Sequence, residues 1–399
     1  MRRQLRAATC GLACIAAQSA AAVEPTFTPE VLPVELSVGY AVQAIDLSGD
    51  GKLDVAIVDS KRFIWLENPS WELHVMHAEP GAANDNVCFA AHDVDGDGDA
   101  DFAVGRDWQP GNSDSGGHVG WLECPADPRG EWKYREILQE PTVHRMRWVD
   151  WQGDGSPELV VAPLKGRRSR GPGFDNTPVR LLMLTPPAAG SNEWSSRVLL
   201  DSLHVSHNID AVDFDRDGRQ GLLAASFEGV TRIWPSGSEV RTHRLGSGDP
   251  GRPPAAGSSE VRFGRADSDH YIASIEPWHG NKVVVYTAPA EASQLWDRHV
   301  LDEELKWGHA VACVDLDDDP DQELVIGVRD EASAAHRSGV RIYDPVDLAS
   351  GRWERRLIEP GQVAVEDLTT ADLDGDGDTD IIAVGRATHN AVVYWNGLK

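Results

Sequence analysis

The chain has 399 residues and a formal net charge of −27, from 64 acidic and 37 basic residues. Such an acidic chain is a poor partner for nucleic acid, because phosphate backbones are bound by clustered Lys and Arg. After the N-terminus, no run approaches the ~20 apolar residues that a membrane span needs.

The first 22 residues predict a secretory signal peptide. Arg2, Arg3 and Arg6 precede an apolar stretch that ends in the small residues Ser19–Ala22. We expect cleavage after Ala22 and export to the periplasm or the extracellular space. Loss of the three arginines changes the formal charge from −27 to −30.

Three cysteines remain after this cleavage: Cys88, Cys124 and Cys313. An odd count in an exported chain does not suit a disulfide framework. Cys88 and Cys313 precede acidic loops within apolar runs, so we expect buried free thiols.

An acidic nine-residue motif recurs along the mature chain. Its clearest copy is Asp372–Asp380, with carboxylates at positions 1, 3, 5 and 9 and Gly377 at position 6. Oxygen ligands at this spacing suit Ca²⁺, and the glycine allows a sharp turn. The β-branched run Ile381–Val384 follows, so each loop is expected to join two strands. The six copies begin at Asp46, Asp93, Asp150, Asp213, Asp315 and Asp372.

The spacing of these copies predicts a ring of seven units. The steps are 47, 57, 63, 102 and 57 residues, and the long step indicates a degenerate copy near Phe263 without acidic ligands. Each copy continues with two apolar runs and a further strand, which in five copies is led by tryptophan. These tryptophans are Trp71, Trp132, Trp194, Trp296 and Trp353.

Four short strands in every ~50 residues predict an all-β, seven-bladed β-propeller. We assign it to residues 23–399 as a single domain, with no linker and no second domain. The last copy stops after three strands, at Trp395. We expect Phe27–Leu32 to supply the missing strand and close the ring, which removes two free sheet edges.

Structural calcium is predicted in four of the acidic loops, those of blades one, two, six and seven. The predicted ligands are Asp46, Asp50, Asp54, Asp93, Asp95, Asp97, Asp101, Asp315, Asp317, Asp319, Glu323, Asp372, Asp374, Asp376 and Asp380. Blade three has Gln152 at position 3, Gly221 replaces the last carboxylate of blade four, and Pro320 replaces the glycine of blade six. The alternative is that these Asp and Gly residues form Asx turns without metal.

A second pattern lies six residues before the first Asp of each loop. The residues there are Tyr40, Val87 (beside Asn86), His144, His207, His309 and Glu366, with no clear equivalent in blade five. Equivalent positions of a propeller point to the same end of its central channel. Neutral imidazoles with a carboxylate are ligands of first-row metals, with Zn²⁺ the default. We predict such a metal at His144, His207, His309 and Glu366, without choosing which three bind. The alternative is that duplication copied one histidine and the rings only form hydrogen bonds in the channel wall.

The turns on that face combine aromatic and polar side chains. An aromatic ring covers the apolar face of a sugar, and forked donors bind hydroxyls or carboxylates. We therefore expect a carbohydrate or sugar-derived ligand here, with a protein partner as the alternative. The candidate binding residues are Trp108, Lys165, Trp278, Asn281, Lys282, Arg329, Arg386 and His389.

The acidic loops resemble the VCBS/FG-GAP repeats of integrin-α-like propellers across nearly the whole mature chain. A narrower resemblance rests on Val143–Trp148, Ser206–Asn208, Glu276–Asn281 and Trp307–Ala310. These segments are similar to the propeller domain of the aldos-2-ulose dehydratase type. That resemblance implies a metal in the central cleft, at His144, His207 and His309, and elimination of water from an oxidised sugar. The cupin domains of the fungal enzyme are absent from this sequence.

The favoured function is a secreted, metal-dependent carbohydrate lyase or dehydratase that acts by β-elimination on an oxidised sugar or a uronate. His279 is our candidate for the base and Tyr40 for the acid. One alternative is a non-catalytic glycan- or protein-binding propeller that holds Ca²⁺ alone. Another is hydrolysis by the carboxylates of Glu276 and Glu366. The sequence names neither the substrate nor the oligomeric state.

Overall fold

A computed structural model describes residues 24–398, apart from 80, 82, 83, 189, 190, 192, 267, 268, 292, 332, 334 and 335. The predicted signal peptide lies outside these residues. Within them the chain forms seven four-stranded antiparallel sheets and no helix. The prediction of an all-β, seven-bladed propeller is confirmed. None of the described segments is a helix of the length and apolarity that crossing a bilayer requires.

Each blade has four strands, from the channel outwards. Blade one contains β2 (Gly39–Ile45), β3 (Asp54–Asp59), β4 (Arg62–Glu67) and β5 (Glu72–Ala78). Blade two contains β6 (Cys88–His92), β7 (Asp101–Arg106), β8 (His118–Glu123) and β9 (Lys133–Gln139). Blade three contains β10 (Val143–Val149), β11 (Glu158–Pro163), β12 (Leu181–Thr185) and β13 (Ser195–Leu200). Blade four contains β14 (Asn208–Val212), β15 (Gly221–Ser226), β16 (Gly229–Ser236) and β17 (Glu239–Gly246).

The remaining blades follow the same order. Blade five contains β18 (Glu260–Ala266), β19 (Asp269–Glu276), β20 (Lys282–Thr287) and β21 (Asp297–Asp302). Blade six contains β22 (Lys306–Val314), β23 (Glu323–Asp330), β24 (Gly339–Asp347) and β25 (Arg352–Pro360). Blade seven contains β26 (Val365–Ala371), β27 (Asp380–Gly385), β28 (Ala391–Asn396) and β1 (Phe27–Val31).

Blade seven is built from both ends of the chain. β1 pairs antiparallel with β28, with Phe27 opposite Asn396 and Val31 opposite Val392. Leu32, just after β1, is 1 % exposed and belongs to the apolar cluster between blades one and seven. The outer strand of this sheet is therefore held by side-chain burial as well as by its hydrogen bonds.

The core lies between neighbouring blades. The second strand of each blade packs against a blade on both sides, so its side chains are buried on both faces. In β3, β11, β15 and β27 every residue is buried. This explains why these strands have continuous apolar sequences instead of the alternation of a half-exposed strand. The described cysteines, Cys88, Cys124 and Cys313, are free thiols.

Candidate functional site

Four inner strands carry a β-bulge at the same place. The pairing register of β2, β10, β22 and β26 shifts by one residue near the start of each strand. A bulge changes the direction of the residue it contains. The residues skipped by these four shifts are Tyr40, His144, His309 and Glu366. The residues that lie six positions before the acidic loops in these four blades are therefore the bulged residues, and all four bulges lie at the same end of the channel.

The backbone before each inner histidine is also unusual. Thr142, Val205 and Trp307 have φ angles of 59°, 47° and 59°, and each lies two residues before a channel histidine. Residues other than glycine rarely adopt this left-handed conformation, and they concentrate at functional sites. The repeated conformation gives His144, His207 and His309 the same approach to the channel.

A fourth histidine enters from the turn between β19 and β20. His279 itself has a φ of 49°. The next residue must be glycine, because a Cβ at Gly280 would lie 2.1 Å from the carbonyl group of Glu276. This tight turn folds His279 back over the channel, where its side chain meets those of the inner strands.

Three histidines converge on one point. Nε2 of His279 lies 2.6 Å from Nε2 of His207, and the ring of His309 lies 5.1 Å from each of the other two rings. One ring nitrogen from each residue falls within 4.8 Å of the others. The three imidazoles are thus spaced as a group that could hold one metal ion.

His144 lies beside this group. Its ring centroid is 4.6 Å from that of His207, and its other face stacks on Trp108 at 5.6 Å. Both ring nitrogens are buried without a hydrogen-bond partner among the described residues. The structure thus places His279 in the group where we expected His144, and places His144 next to it.

Glu260 is a site residue that the sequence reasoning missed. Its Oε1 lies 2.6 Å from Nδ1 of His207, and its other oxygen accepts a short hydrogen bond from Asn208. Glu260 has the place in blade five that His207 has in blade four. The residue after Glu260, Val261, pairs with Ser274, just as the residue after His207, Asn208, pairs with Ala225. Counting back from the apolar run Tyr271–Ser274 by the spacing of the other blades would have reached Ala256, because a shorter turn joins β18 to β19; only the strand pairing identifies Glu260.

Two of the three nitrogens that face away from the convergence point lie beside an acceptor, whereas Nδ1 of His279 is buried without a hydrogen-bond partner among the described residues. Nδ1 of His309 lies 2.6 Å from the backbone carbonyl oxygen of Glu366, and Nδ1 of His207 faces the Glu260 carboxylate. Such acceptors hold the ring proton on Nδ1 and leave Nε2 free to bind a metal. The donor set therefore fits a first-row metal ion at His207, His279 and His309.

Burial keeps His144, His279 and His309 uncharged. It lowers the pKa of His144 and His279 well below the usual histidine value, and neighbouring cationic groups lower both further. Burial also lowers the pKa of His309 to about 4, although Glu366 opposes the change. For Glu260, burial would raise the pKa, but the interaction with the His207 ring and the charge of Arg145 outweigh burial and lower it. Neutral imidazoles and ionised carboxylates are the forms that bind metal.

Aromatic rings surround the histidines. Trp278 stacks on His279 at 4.3 Å, and Trp307 lies 4.9 Å from the same ring. Trp307 is 37 % exposed, so it forms part of the rim that solvent reaches. It was not among the predicted binding residues, although it belongs to the motif that precedes His309. Together with Trp108, these rings give the site an aromatic wall.

Cations and one carboxylate complete the rim. Nη1 of Arg386 donates to Glu366 at 2.7 Å, and Nη1 of Arg329 lies 3.7 Å from the same carboxylate. Arg329 also covers the ring of Trp307 at 4.1 Å. The hydroxyl of Tyr40 donates to Asp85 at 2.8 Å, and burial raises the pKa of this phenol above its usual value. Tyr40 therefore keeps its proton at neutral pH.

Four of the predicted binding residues have other contacts. Lys282 forms a salt bridge with Asp249 at 2.8 Å. The Asn281 amide donates to the carbonyl of Glu303, and His389 contacts the carbonyl of Ser37. Lys165 is buried against the ring of Phe174 at 3.7 Å and donates to the carbonyl of Pro110. By contrast Trp108, Trp278, Arg329 and Arg386 contact the histidines or Glu366.

The carboxylate of Glu276 is buried and does not face the channel as a catalytic group would. Its side chain is 0 % exposed and accepts hydrogen bonds from Ser258, Tyr286 and Arg298. A carboxylate in this position cannot reach a sugar in the channel. The structure therefore argues against the pairing of Glu276 with Glu366 as hydrolytic carboxylates.

Comparison with known proteins identifies the repeat. The FG-GAP-like repeat family matches residues 36–104, and the aldos-2-ulose dehydratase β-propeller domain matches residues 116–289. The chain is a seven-bladed propeller that is similar to the FG-GAP-like repeat and to the propeller of aldos-2-ulose dehydratase. The second match includes His144, His207, Glu260 and His279 but ends before His309.

Two proteins similar to this propeller have longer chains. Aldos-2-ulose dehydratase of Phanerodontia chrysosporium is 28 % identical over 285 residues, which cover 66 % of this chain and 31 % of that enzyme. The propeller thus spans about a third of its relative. The extracellular domain of a one-component system from B. thetaiotaomicron aligns over 92 % of this chain and 39 % of that one, with 14 % identity and a TM-score of 0.51. This second likeness supports the fold alone.

The Asp-rich loops of this propeller are folded around their own first residue. In blade seven, Asp372 accepts hydrogen bonds from the backbone of Gly375 and Gly377, and Asp93 does the same in blade two. The carboxylates at positions 1, 3 and 9 still cluster in blades two, six and seven. The Asx-turn geometry and a carboxylate cluster that could hold a cation therefore occur in the same loops.

Proposed function

We propose that this propeller is a metal-dependent carbohydrate lyase that carries out β-elimination on an oxidised sugar or a uronate. The observation that carries the proposal is the convergence of His207, His279 and His309, with Glu260 and the Glu366 carbonyl behind two of the rings. Similarity to an aldos-2-ulose dehydratase propeller supports a sugar substrate for the same site.

The metal would be held by His207, His279 and His309. A divalent ion there would act as a Lewis acid on the carbonyl or carboxylate oxygen next to the acidic C–H bond. Glu260 would fix the orientation of His207, and Asn208 would fix Glu260. This assignment exchanges the roles expected from the sequence, since His279 becomes a ligand and His144 becomes available for proton transfer.

His144 is the base in this proposal. It is neutral, lies beside the metal-binding group and has no other hydrogen-bond partner among the described residues. It would take the proton from the carbon next to the carbonyl while the bond from the adjacent carbon to oxygen breaks and a C=C bond forms. Tyr40 would donate a proton to the departing oxygen, because its raised pKa keeps it protonated.

The rim would bind the sugar. Trp108, Trp278 and Trp307 supply aromatic faces for the apolar side of a pyranose ring. Arg329 and Arg386 would contact its hydroxyl or carboxylate groups with the donors not directed at Glu366.

The test is turnover by the zinc- or manganese-loaded protein against a panel of aldos-2-uloses and uronate oligosaccharides. Elimination creates a C=C bond conjugated with a carbonyl, so the expected result is an increase in ultraviolet absorbance. For a dehydration, mass spectrometry would also show the loss of one water. The metal-loaded protein should be active and a His207→Gln variant inactive. Binding of these sugars without turnover, unchanged in His207→Gln, would instead support a non-catalytic glycan-binding propeller.

We also propose that the Asp-rich loops bind structural calcium. Burial raises the pKa of Asp101 to about 7 and that of Glu323 to about 9, and neighbouring carboxylates add to both shifts. A bound cation would remove this repulsion and favour the ionised forms. The clusters in blades two, six and seven are the candidate positions.

Blades four and seven provide a matched test of the calcium proposal. Asp374→Ala removes a carboxylate from the blade-seven cluster and is expected to lower bound calcium by about one ion per chain. The matched control is Asp215→Ala, at the equivalent position of blade four. There Gly221 replaces the last carboxylate and Asp215 pairs with Arg232, so the amount of bound calcium should not change. Elemental analysis after dialysis against micromolar calcium measures both. Equal calcium in all three proteins would contradict the assignment.

A further inference from the structure

Three arginines face the channel beyond the histidine cluster. Arg145 and Arg147 lie on β10 and Arg262 lies on β18, so they come from blades three and five. With Gln43, Asp367 and others they line a cavity of about 200 Å³. Arg147 is three residues further along its strand than His144, towards the Asp-rich loop that begins at Asp150. This cavity is therefore separate from the metal-binding group.

The hydrogen bonds of these arginines are local. Nη1 of Arg145, Arg147 and Arg262 each donates to the carbonyl of the preceding residue, at 3.1, 2.7 and 2.8 Å. Arg147 also donates to Asn208 at 3.3 Å. Among the described residues, no carboxylate lies within salt-bridge distance of any of the three guanidinium groups. Because each guanidinium has five N–H donors, most of them face the cavity without a protein acceptor.

The carboxylates near the cavity are held by other partners. They are Asp210, Glu260 and Asp367. Asp210 and Asp367 accept hydrogen bonds from the backbone of Phe263 and Val42, each at 3.1 Å, and Glu260 contacts His207 and Asn208. The three guanidinium groups repel one another, and none of them forms a salt bridge with these carboxylates. Burial lowers the pKa of Arg147 to about 10, and the charge of Arg262 contributes to the change. An anion placed among the arginines would relieve this repulsion.

We propose that the channel binds a tetrahedral oxyanion, of the sulfate or phosphate type, between Arg145, Arg147 and Arg262. Guanidinium groups bind such anions with paired N–H···O bonds, which are stronger than neutral hydrogen bonds. The anion would connect blades three and five at the centre of the ring. Because only the folded ring brings the three arginines together, it would stabilise the native state. The proposal does not depend on the lyase function.

The test compares sulfate with chloride at equal ionic strength in thermal unfolding of the purified mature protein. Sulfate is used because it binds Ca²⁺ and Zn²⁺ weakly. We expect the unfolding temperature of the wild-type protein to rise with sulfate in a saturable way, and the curve to give an apparent dissociation constant. Arg262→Gln should weaken binding about tenfold or more, since it removes charged hydrogen bonds. Arg241→Gln, at an exposed ion pair with Glu239, should change nothing.

Asp210→Asn is expected to change the affinity for sulfate in the direction opposite to Arg262→Gln. It keeps an oxygen that can accept from the backbone of Phe263 but removes a negative charge beside the cavity. It should tighten sulfate binding, whereas Arg262→Gln weakens it. An equal response to sulfate in the wild type and Arg262→Gln would overturn the proposal. If Arg262→Gln does not fold, an Asp210→Asn variant that binds sulfate with the wild-type affinity would also overturn the proposal. Stabilisation by oxalate but not by sulfate would overturn the choice of a tetrahedral anion.

Discussion

Replacing His279 with glutamine is expected to abolish transition-metal binding, whereas replacing His144 with glutamine is expected to leave it intact. His279 presents Nε2 at 2.6 Å from that of His207 and belongs to the convergent group, while His144 contacts that group only through the ring of His207. A site with three protein ligands does not hold its ion firmly after losing one. We expect the zinc content of His279→Gln to fall from about one per chain to near zero.

The measurement is elemental analysis after zinc loading and dialysis without chelator. In our proposal the Asp-rich loops bind calcium at the other end of the blades, so calcium in the same samples would report on folding. Activity separates the two variants further, since both should lose turnover but only His279→Gln should lose zinc. Loss of zinc from His144→Gln, with retention in His279→Gln, would restore the ligand set expected from the sequence.

Glu276→Ala is expected to lower the free energy of unfolding by about 3–5 kcal/mol, the range for breaking one side of a buried ion pair. Arg298 donates to this carboxylate through Nε at 2.9 Å, and Ser258 donates at 3.0 Å. With Glu276 0 % exposed, the alanine leaves these groups and the Tyr286 hydroxyl without their acceptor. The loss is large because water does not reach the position to replace the carboxylate.

Urea unfolding followed by tryptophan fluorescence measures this effect. The matched control is Glu239→Ala, which removes the partner of Arg241 from an ion pair whose side chains are 65 % and 59 % exposed. An exposed pair contributes about 0–1 kcal/mol, so this control should unfold at nearly the wild-type urea concentration. A Glu276→Ala protein as stable as the control would show that the carboxylate is not structural.

Much of the fold could be predicted from sequence because the repeat is periodic in both composition and spacing. The acidic loops fix the turns, the runs after them fix the buried strands, and the tryptophans mark the outer strands. Even blade five, without acidic ligands, was placed from the double-length step between Asp213 and Asp315. These signals are local along the chain, and one closed arrangement satisfies all of them.

The site was less predictable because side-chain contacts between blades leave little trace in one sequence. Glu260 was missed because its blade lacks the loop from which the register was counted. The place of His279 in the histidine group depends on a tight turn at Gly280. The salt bridge of Lys282 with Asp249 joins the start of β20 to a loop 33 residues earlier in the chain. The bulges that direct Tyr40 and His309 into the channel are backbone features without a residue type of their own.

The mixed origin of blade seven has a consequence for how the ring assembles during synthesis. β1 precedes the other strands of the ring along the chain and β28 follows them, yet they are neighbours in one sheet. Six blades can form in the order in which they are translated, but the ring cannot close until β28 has been translated. Until then β1 has no partner strand and Leu32 has no core to enter. An incomplete chain therefore exposes the unpaired edge of β1 and the apolar side chain of Leu32. A chaperone that covers β1 during this interval would raise the yield of closed rings.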